Sequence, residues 1–403
     1  MRNVAPKGLD MSVLLVCTAI SAACSSTSDP KVNNSCTNVS VDELKELVVI
    51  DEAVLSDGRA KNGTTGAWSF RHAVQNLSPQ DMDAGEFVRD WFVHWVSETE
   101  FNGYPLDRPN EDRVLGMNQH VLCPWLKGSP ENACNDDCST CSGQKLDLAR
   151  APFRLIGIAN RMDVREQRSN VVNGEGRFIY ALTDGPADDP ASKPLPMTVI
   201  FEYALPAERT AGQWAKAWHA LGQFPSFDEG YRAALQSVTD GFSVRGAHPE
   251  GMAGSALGQV RTNEAILNWI WQLREFGLSS DGTLRLRPIW NTPAERLNGS
   301  AVLRDFVLSN ADAIRSNNYE IPVSMRGGSV DSFRFAWNIP GVDAQTSKAF
   351  TEGTCNGCHS TNPTVDTAFH ISPFREGPSR LSQHLVEDLK LRSASLRRAL
   401  CTD

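Results

Sequence analysis

The spacing of apolar residues divides the chain into helical and extended stretches. Val41-Asp42-Glu43-Leu44 opens a short helix, and residues 41–150 read as mostly helical. Across 83–98, Phe87, Trp91, His94 and Trp95 fall at the i, i+4, i+7, i+8 spacing of one buried helix face. That stripe reads as aromatic core, with His94 hydrogen-bonded inside it. From residue 152 the period changes. Segments 153–159, 177–182 and 197–203 are rich in β-branched and aromatic residues and are separated by turn residues, so they predict strands. Segments 210–222 and 227–239 return to helical spacing. Strands are expected again at 257–263, 268–276 and 283–289, then one long helix over 300–315. Strands and helices arrive in blocks, which predicts an α+β fold with a largely antiparallel sheet and a small, mostly helical C-terminal segment. The chain shows no P-loop, dinucleotide fingerprint, Gly-x-Ser-x-Gly elbow or 20–50-residue repeat.

Composition adds bounds rather than detail. A chain of 403 residues suits one large domain and a small appended one, and 41% hydrophobic with 22% charged residues is a globular balance. The net charge of −9 argues against nucleic-acid partners, whose binding rests on Lys and Arg facing phosphates.

The first residues predict an address. Arg2 and Lys7 precede a short apolar stretch over 13–23, too short to span a bilayer and suited to a secretory signal. It ends in Ser21-Ala22-Ala23-Cys24, which is similar to a bacterial lipobox and makes Cys24 the expected lipidated residue. The expected organisation is a signal peptide over 1–23, a polar tether over 24–40, a body over 41–340 and a haem segment over 341–403. The implied place is the cell envelope, with a lipid holding the protein at the outer membrane, facing the periplasm or the cell surface.

In such a compartment thiols oxidise, so the ten cysteines can be sorted. Cys17 leaves with the signal and Cys24 takes lipid. Cys123, Cys134, Cys138 and Cys141 crowd one loop and are expected to pair among themselves, a structural zinc site being the competing reading. Cys36 and Cys401 would staple the ends. Cys355 and Cys358 remain.

Those two lie in Cys355-Asn356-Gly357-Cys358-His359, the spacing by which c-type haem is attached: two thiols bind the porphyrin and the adjoining histidine binds the iron. The cofactor expected is one covalent haem c, with His359 as proximal ligand. No methionine follows Cys358, because the last is Met325, so His370 is the expected sixth ligand and His384 the other candidate. Arg375 and Arg380 are candidate partners for the haem propionates. The run Glu352 to His359 resembles the attachment segment of c-type cytochromes. With the lipobox, Phe369-His370-Ile371-Ser372-Pro373, Ala151-Pro152-Phe153-Arg154-Leu155 and Gly174-Glu175-Gly176-Arg177-Phe178, the chain is similar to a group of bacterial lipoproteins carrying a C-terminal cytochrome-like motif. The resemblance implies a cofactor and no substrate.

Three functions follow. The first is one-electron transfer to a redox partner protein. The second is a binding or structural lipoprotein in which Cys355 and Cys358 are only a thiol pair. The third is a peroxidase-like enzyme, with His94, His219 or arginines as distal groups. Glu264 and Glu275, near Arg261 and Arg274 in the expected sheet, read as an internal ion-pair row.

Overall fold

The computed structural model describes residues 39–97, 100–101, 104–105, 118–166, 171–265, 271–330, 335–360 and 369–402. The expected signal, Cys24 and the expected Cys36–Cys401 bridge therefore fall wholly or partly outside the described residues.

Aromatic residues recur at alternate positions of the central strands, and this alternation gives the sheet two unlike faces. Strand β1 spans Val48–Val49, and β2 (Glu100–Phe101) and β3 (Tyr104–Pro105) form a separate ribbon. Strands β4 (Phe153–Arg161), β5 (Glu175–Thr183), β6 (Pro194–Ala204), β7 (Leu257–Glu264) and β8 (Gln272–Leu278) pair antiparallel in sequence order. β1 extends the sheet beyond β4, while β9 (Leu284–Arg287) and β10 (Ser329–Val330) share the outer edge of β8. Among the described residues this is an eight-stranded antiparallel sheet within an α+β fold, as the block pattern predicted.

The register puts Phe178, Tyr180, Val199, Phe201, Val260 and Phe276 on one face. Helices Phe70–Leu77, Ala84–Ser97 and Glu229–Ser243 supply the aromatic rings that cover it. Phe70 stacks on Phe153 at 4.3 Å and meets Tyr180 and Phe201 edge-on, while Trp91 and Trp95 both meet Phe276. Phe242 lies directly over Gly176, where a Cβ would stand 2.4 Å from its ring, so the close approach requires glycine. Such offset and edge-on pairs contribute roughly 0.5–1.5 kcal/mol each beyond their burial.

The opposite face carries Arg161, Glu175, Arg177, Glu202, Arg261 and Glu275. Every residue of β5 is buried, so this charged face is covered as well. Its cover is the C-terminal part of the chain. The last helix, Gln383–Leu400, begins at the N-cap Ser382, whose side chain accepts from the Leu385 N–H, and sends Leu385, Leu389, Leu396 and Ala399 into the main core. A second cluster joins Leu303, Val307 and Trp337 to Phe350, so apolar packing runs across residue 340.

Several sequence expectations are corrected. The helix expected over 300–315 is two, Ala301–Ser309 and Ala311–Arg315, because Asn310 leaves helical geometry (φ −118°, ψ 18°) and its side-chain amide donates to the Phe306 carbonyl at 2.8 Å. Strand β8 starts at Gln272 rather than 268, and 266–270 lie outside the described residues. His94 is not inside the aromatic core: it is half-buried beside Asp90, 3.5 Å away, while Phe87, Trp91 and Trp95 are the buried stripe. The four cysteines of one loop do pair among themselves as expected, Cys123–Cys138 and Cys134–Cys141, which leaves those sulfurs no thiolate for the competing zinc reading.

Glu264 and Arg274 lie on the aromatic face rather than in the same row as Arg261 and Glu275. Glu264 accepts from Arg274 Nη1 at 2.7 and 2.8 Å, from the Trp95 indole N–H at 3.0 Å and from Thr262 Oγ1 at 2.6 Å. Both charges are buried. Arg274→Met is expected to cost about 3–5 kcal/mol in denaturant unfolding, because it leaves the carboxylate unpaired. Arg274→Met combined with Glu264→Leu should recover most of that loss; a double variant as unstable as the single would refute the account.

Candidate functional site

Against the charged face stands the short helix Cys355–Ser360, which carries both thiols and His359. Its position is set from its first turn. The Cys355 N–H donates to Thr292 Oγ1 at 3.1 Å, and Thr354 Oγ1 accepts from the Trp337 indole at 2.9 Å while donating to the Thr351 carbonyl at 2.8 Å. Gly357 packs directly on that carbonyl; a Cβ there would lie 2.0 Å from the Thr351 oxygen. The two residues between the cysteines are thus fixed by packing, Asn356 and Gly357 both being buried.

His370 and His384 arrive on a clamp. Ile371 and Leu381 form an antiparallel bridge, the Ser382 N–H donates to the His370 carbonyl at 2.9 Å, and the Ser372 N–H donates to the Arg380 carbonyl at 2.7 Å. The clamp places His370 across from Ser382 and brings His384, in the first turn of the last helix, to within 5.0 Å of it, ring centre to ring centre. Nδ1 of His370 lies 3.3 Å from Ser382 Oγ. Its Nε2 lies 3.9 Å from Cys358 Sγ, and Nε2 of His384 lies 3.8 Å from the same sulfur. His359 is buried, its ring stacked on Trp271 at 4.0 Å and 4.7 Å from the His370 ring.

These groups line one cavity of about 530 Å³, floored by Arg161, Arg177, Glu202 and Arg261 from the sheet and walled by Asp388 and Arg392 from the last helix. The volume lies within the roughly 300–1,000 Å³ of sites that enclose a small molecule or cofactor. The floor is a ladder of alternating charge. Arg177 meets Glu175 at 2.5 Å and Glu202 at 3.0 Å, and Arg261 meets Glu275 at 3.2 Å. Burial pushes the Cys358 thiol up to about 12, with the nearby charges of Cys355, Asp388 and Glu352 adding to it. Burial, reinforced by His359 and His384, holds His370 well below its ordinary value, so its imidazole is neutral at pH 7.

The structure brings together Cys355, Cys358, His359, His370 and His384 from the residues expected at the site. It does not bring Arg375 or Arg380 there: neither lines the cavity, and Arg380 is buried near Glu52 and Glu376. The arginines at the cavity are Arg161, Arg177, Arg261, Arg315 and Arg392. The first three stand on strands β4, β5 and β7, on the charged face of the sheet. Nor do His94 and His219 line it; His219 Nδ1 is 2.7 Å from Glu46, so the distal groups of a peroxidase are not drawn from these two. Trp271, the platform under His359, had no sequence signal.

Comparison with protein-family models, with curated proteins and with solved structures finds no match to this chain.

The ladder has a consequence for acid stability. Burial alone would raise the Asp163 carboxyl, but its bidentate pairing with Arg161, at 2.8 Å, outweighs burial and holds it at about 2 against an ordinary 3.8. A depressed carboxylate contributes stability above its unfolded value and loses it as pH falls through the folded one. Between about pH 4 and pH 2 the protein should therefore lose about 2 kcal/mol through this group. Urea unfolding across that window checks it: Asp163→Asn should flatten the slope, and an unchanged slope would count against the pairing.

Proposed function

We propose that this protein is a mono-haem c-type electron-transfer protein of the bacterial cell envelope, held at the membrane by lipid on Cys24 and passing single electrons to a partner protein. The observation that carries the reading is that both thiols of the attachment spacing and the adjoining His359 line one cofactor-sized cavity. Each thiol would add its S–H across one vinyl group, sulfur to one carbon and hydrogen to the other, so attachment needs neither oxidant nor leaving group. When bound, the haem iron supplies one-electron chemistry, with His359 as its proximal ligand.

The chain's own residues would then do three things. Trp271 fixes the plane of the His359 imidazole. The guanidinium–carboxylate floor sets fixed charges beneath the site. The last helix shields it from water, although His384 remains exposed at the rim. Arg375 and Arg380 contribute nothing to the cavity wall, so the reading assigns them no part in it.

The expected sixth ligand, His370, lies beside the proximal candidate, the two rings 4.7 Å apart, and would be the second imidazole to hold the iron. The address rests on the Ser21-Ala22-Ala23-Cys24 run; among the described residues no helix is long and apolar enough to cross a membrane.

The test is covalent retention of haem. Expressed with c-type maturation machinery and run on a denaturing gel, the wild type should keep a haem-dependent peroxidase stain. Cys355→Ala/Cys358→Ala should lose it entirely, and His359→Ala most of it. A wild-type band no stronger than the double variant's would end the haem reading.

A further inference from the structure

Cys358 has a second set of neighbours that haem attachment does not use. Its Sγ and the Nε2 atoms of His370 and His384 all lie within 4.8 Å of one another, with both sulfur–nitrogen separations near 3.8–3.9 Å. A tetrahedral or trigonal ion with metal–sulfur bonds of about 2.3 Å and metal–nitrogen bonds of about 2.0–2.1 Å sets sulfur and nitrogen ligands roughly 3.5–3.8 Å apart. Both sulfur–nitrogen edges stand within a few tenths of an ångström of that length. Cys358 thus stands close to the sulfur–nitrogen edge length of a small ion's shell from both His370 and His384.

The surroundings are built for this. With Nε2 directed at Cys358, the other nitrogen of His370 faces Ser382 Oγ at 3.3 Å, and that oxygen already accepts the Leu385 N–H at 3.1 Å. A hydrogen bond on the non-ligating nitrogen is how ligating histidines are oriented and made more basic. The bridge between Ile371 and Leu381 fixes the backbone on both sides of the pair. One thiolate with two imidazoles suits zinc or copper better than hard cations such as calcium or magnesium.

We propose that Cys358, His370 and His384 form a binding site for one zinc-class transition-metal ion in the haem-free protein, with a fourth position open to the cavity. The site itself stands without the haem reading. Its consequence rests on that reading: thioether formation consumes the Cys358 thiolate, so ion and haem exclude each other, and an ion bound first keeps Cys358 from oxidising to a disulfide with Cys355.

The full chain made without haem-attachment machinery should bind one zinc ion per chain in equilibrium dialysis. His384→Ala, at an exposed position and therefore the variant most expected to fold, should weaken binding at least about tenfold, as should His370→Ala and Cys358→Ser; Ser382→Ala should weaken it by about tenfold. Cobalt(II) should give a thiolate charge-transfer band that Cys358→Ser abolishes. Cys355→Ala and His359→Ala, both disabling for haem, should still bind zinc. Substoichiometric zinc, zinc unaffected by His384→Ala, or zinc lost equally in Cys355→Ala would overturn the site. Retained haem stain in His384→Ala separates the two questions, since the ion site can fail while haem attaches, and haem can fail while the ion binds.

Discussion

One constraint organises this molecule: a row of guanidinium and carboxylate groups is buried on one face of an antiparallel sheet. Removing such charges from water costs several kcal/mol per ion, and the cost is offset only where partners and hydrogen bonds are complete. Arg177 lies between Glu175 and Glu202, and Arg261 beside Glu275, across β5, β6, β7 and β8. The row needs a lid, and the lid is the C-terminal segment. Arg392 on the last helix shows the strain of that packing, since burial and the nearby Arg161 charge pull it down to about 10 against the pull of Asp163 and Asp388. A segment that sequence alone sets apart as an appended haem module is therefore half of the wall around the site.

The placement of the thiols follows from the same packing. Thr354 and Gly357 tie the Cys355–Ser360 helix to the turn before it, Thr292 receives the Cys355 N–H, and Trp271 backs His359. Those anchors come from the body of the chain, from residues before 300, as well as from its last hundred. The Cys355–His359 segment is thus held by a large scaffold that precedes it in sequence. The groups facing Cys358 come from the His370–Ser382 clamp and the first turn of the last helix.

Much of the fold was legible because its signals are local. The Phe153, Phe178 and Phe201 strands and the Phe87, Trp91, Trp95 stripe carry the right period in their own residues, and the crowded cysteines pair among themselves as their spacing suggests. What could not be read depends on partners distant in sequence. β1 is two residues long and exists because Val48 and Val49 find Ala159 and Ile158. His94 follows the spacing of a buried face, yet pairs with Asp90 at its edge. Arg375 and Arg380 are near the thiols in sequence, yet the floor of the cavity draws its arginines from strands far upstream. The site was legible as a list of Cys355, Cys358, His359 and His370, but not as a geometry.

That geometry sharpens the chemistry of Cys358. Its sulfur is within 4 Å of two imidazole nitrogens, and its own proton is held tightly by burial. A buried thiol is a poor nucleophile until something replaces its proton, and a metal ion does this outright. The same enclosure that makes the thiol slow to oxidise makes it dependent on an electrophile that can enter the cavity. Under the two proposals, a porphyrin would take the Cys358 sulfur together with Cys355, whereas an ion would take it together with His370 and His384. The two proposed ligands would compete for one sulfur: a thioether on Cys358 would deny it to an ion, and an ion on its thiolate would deny it to a porphyrin.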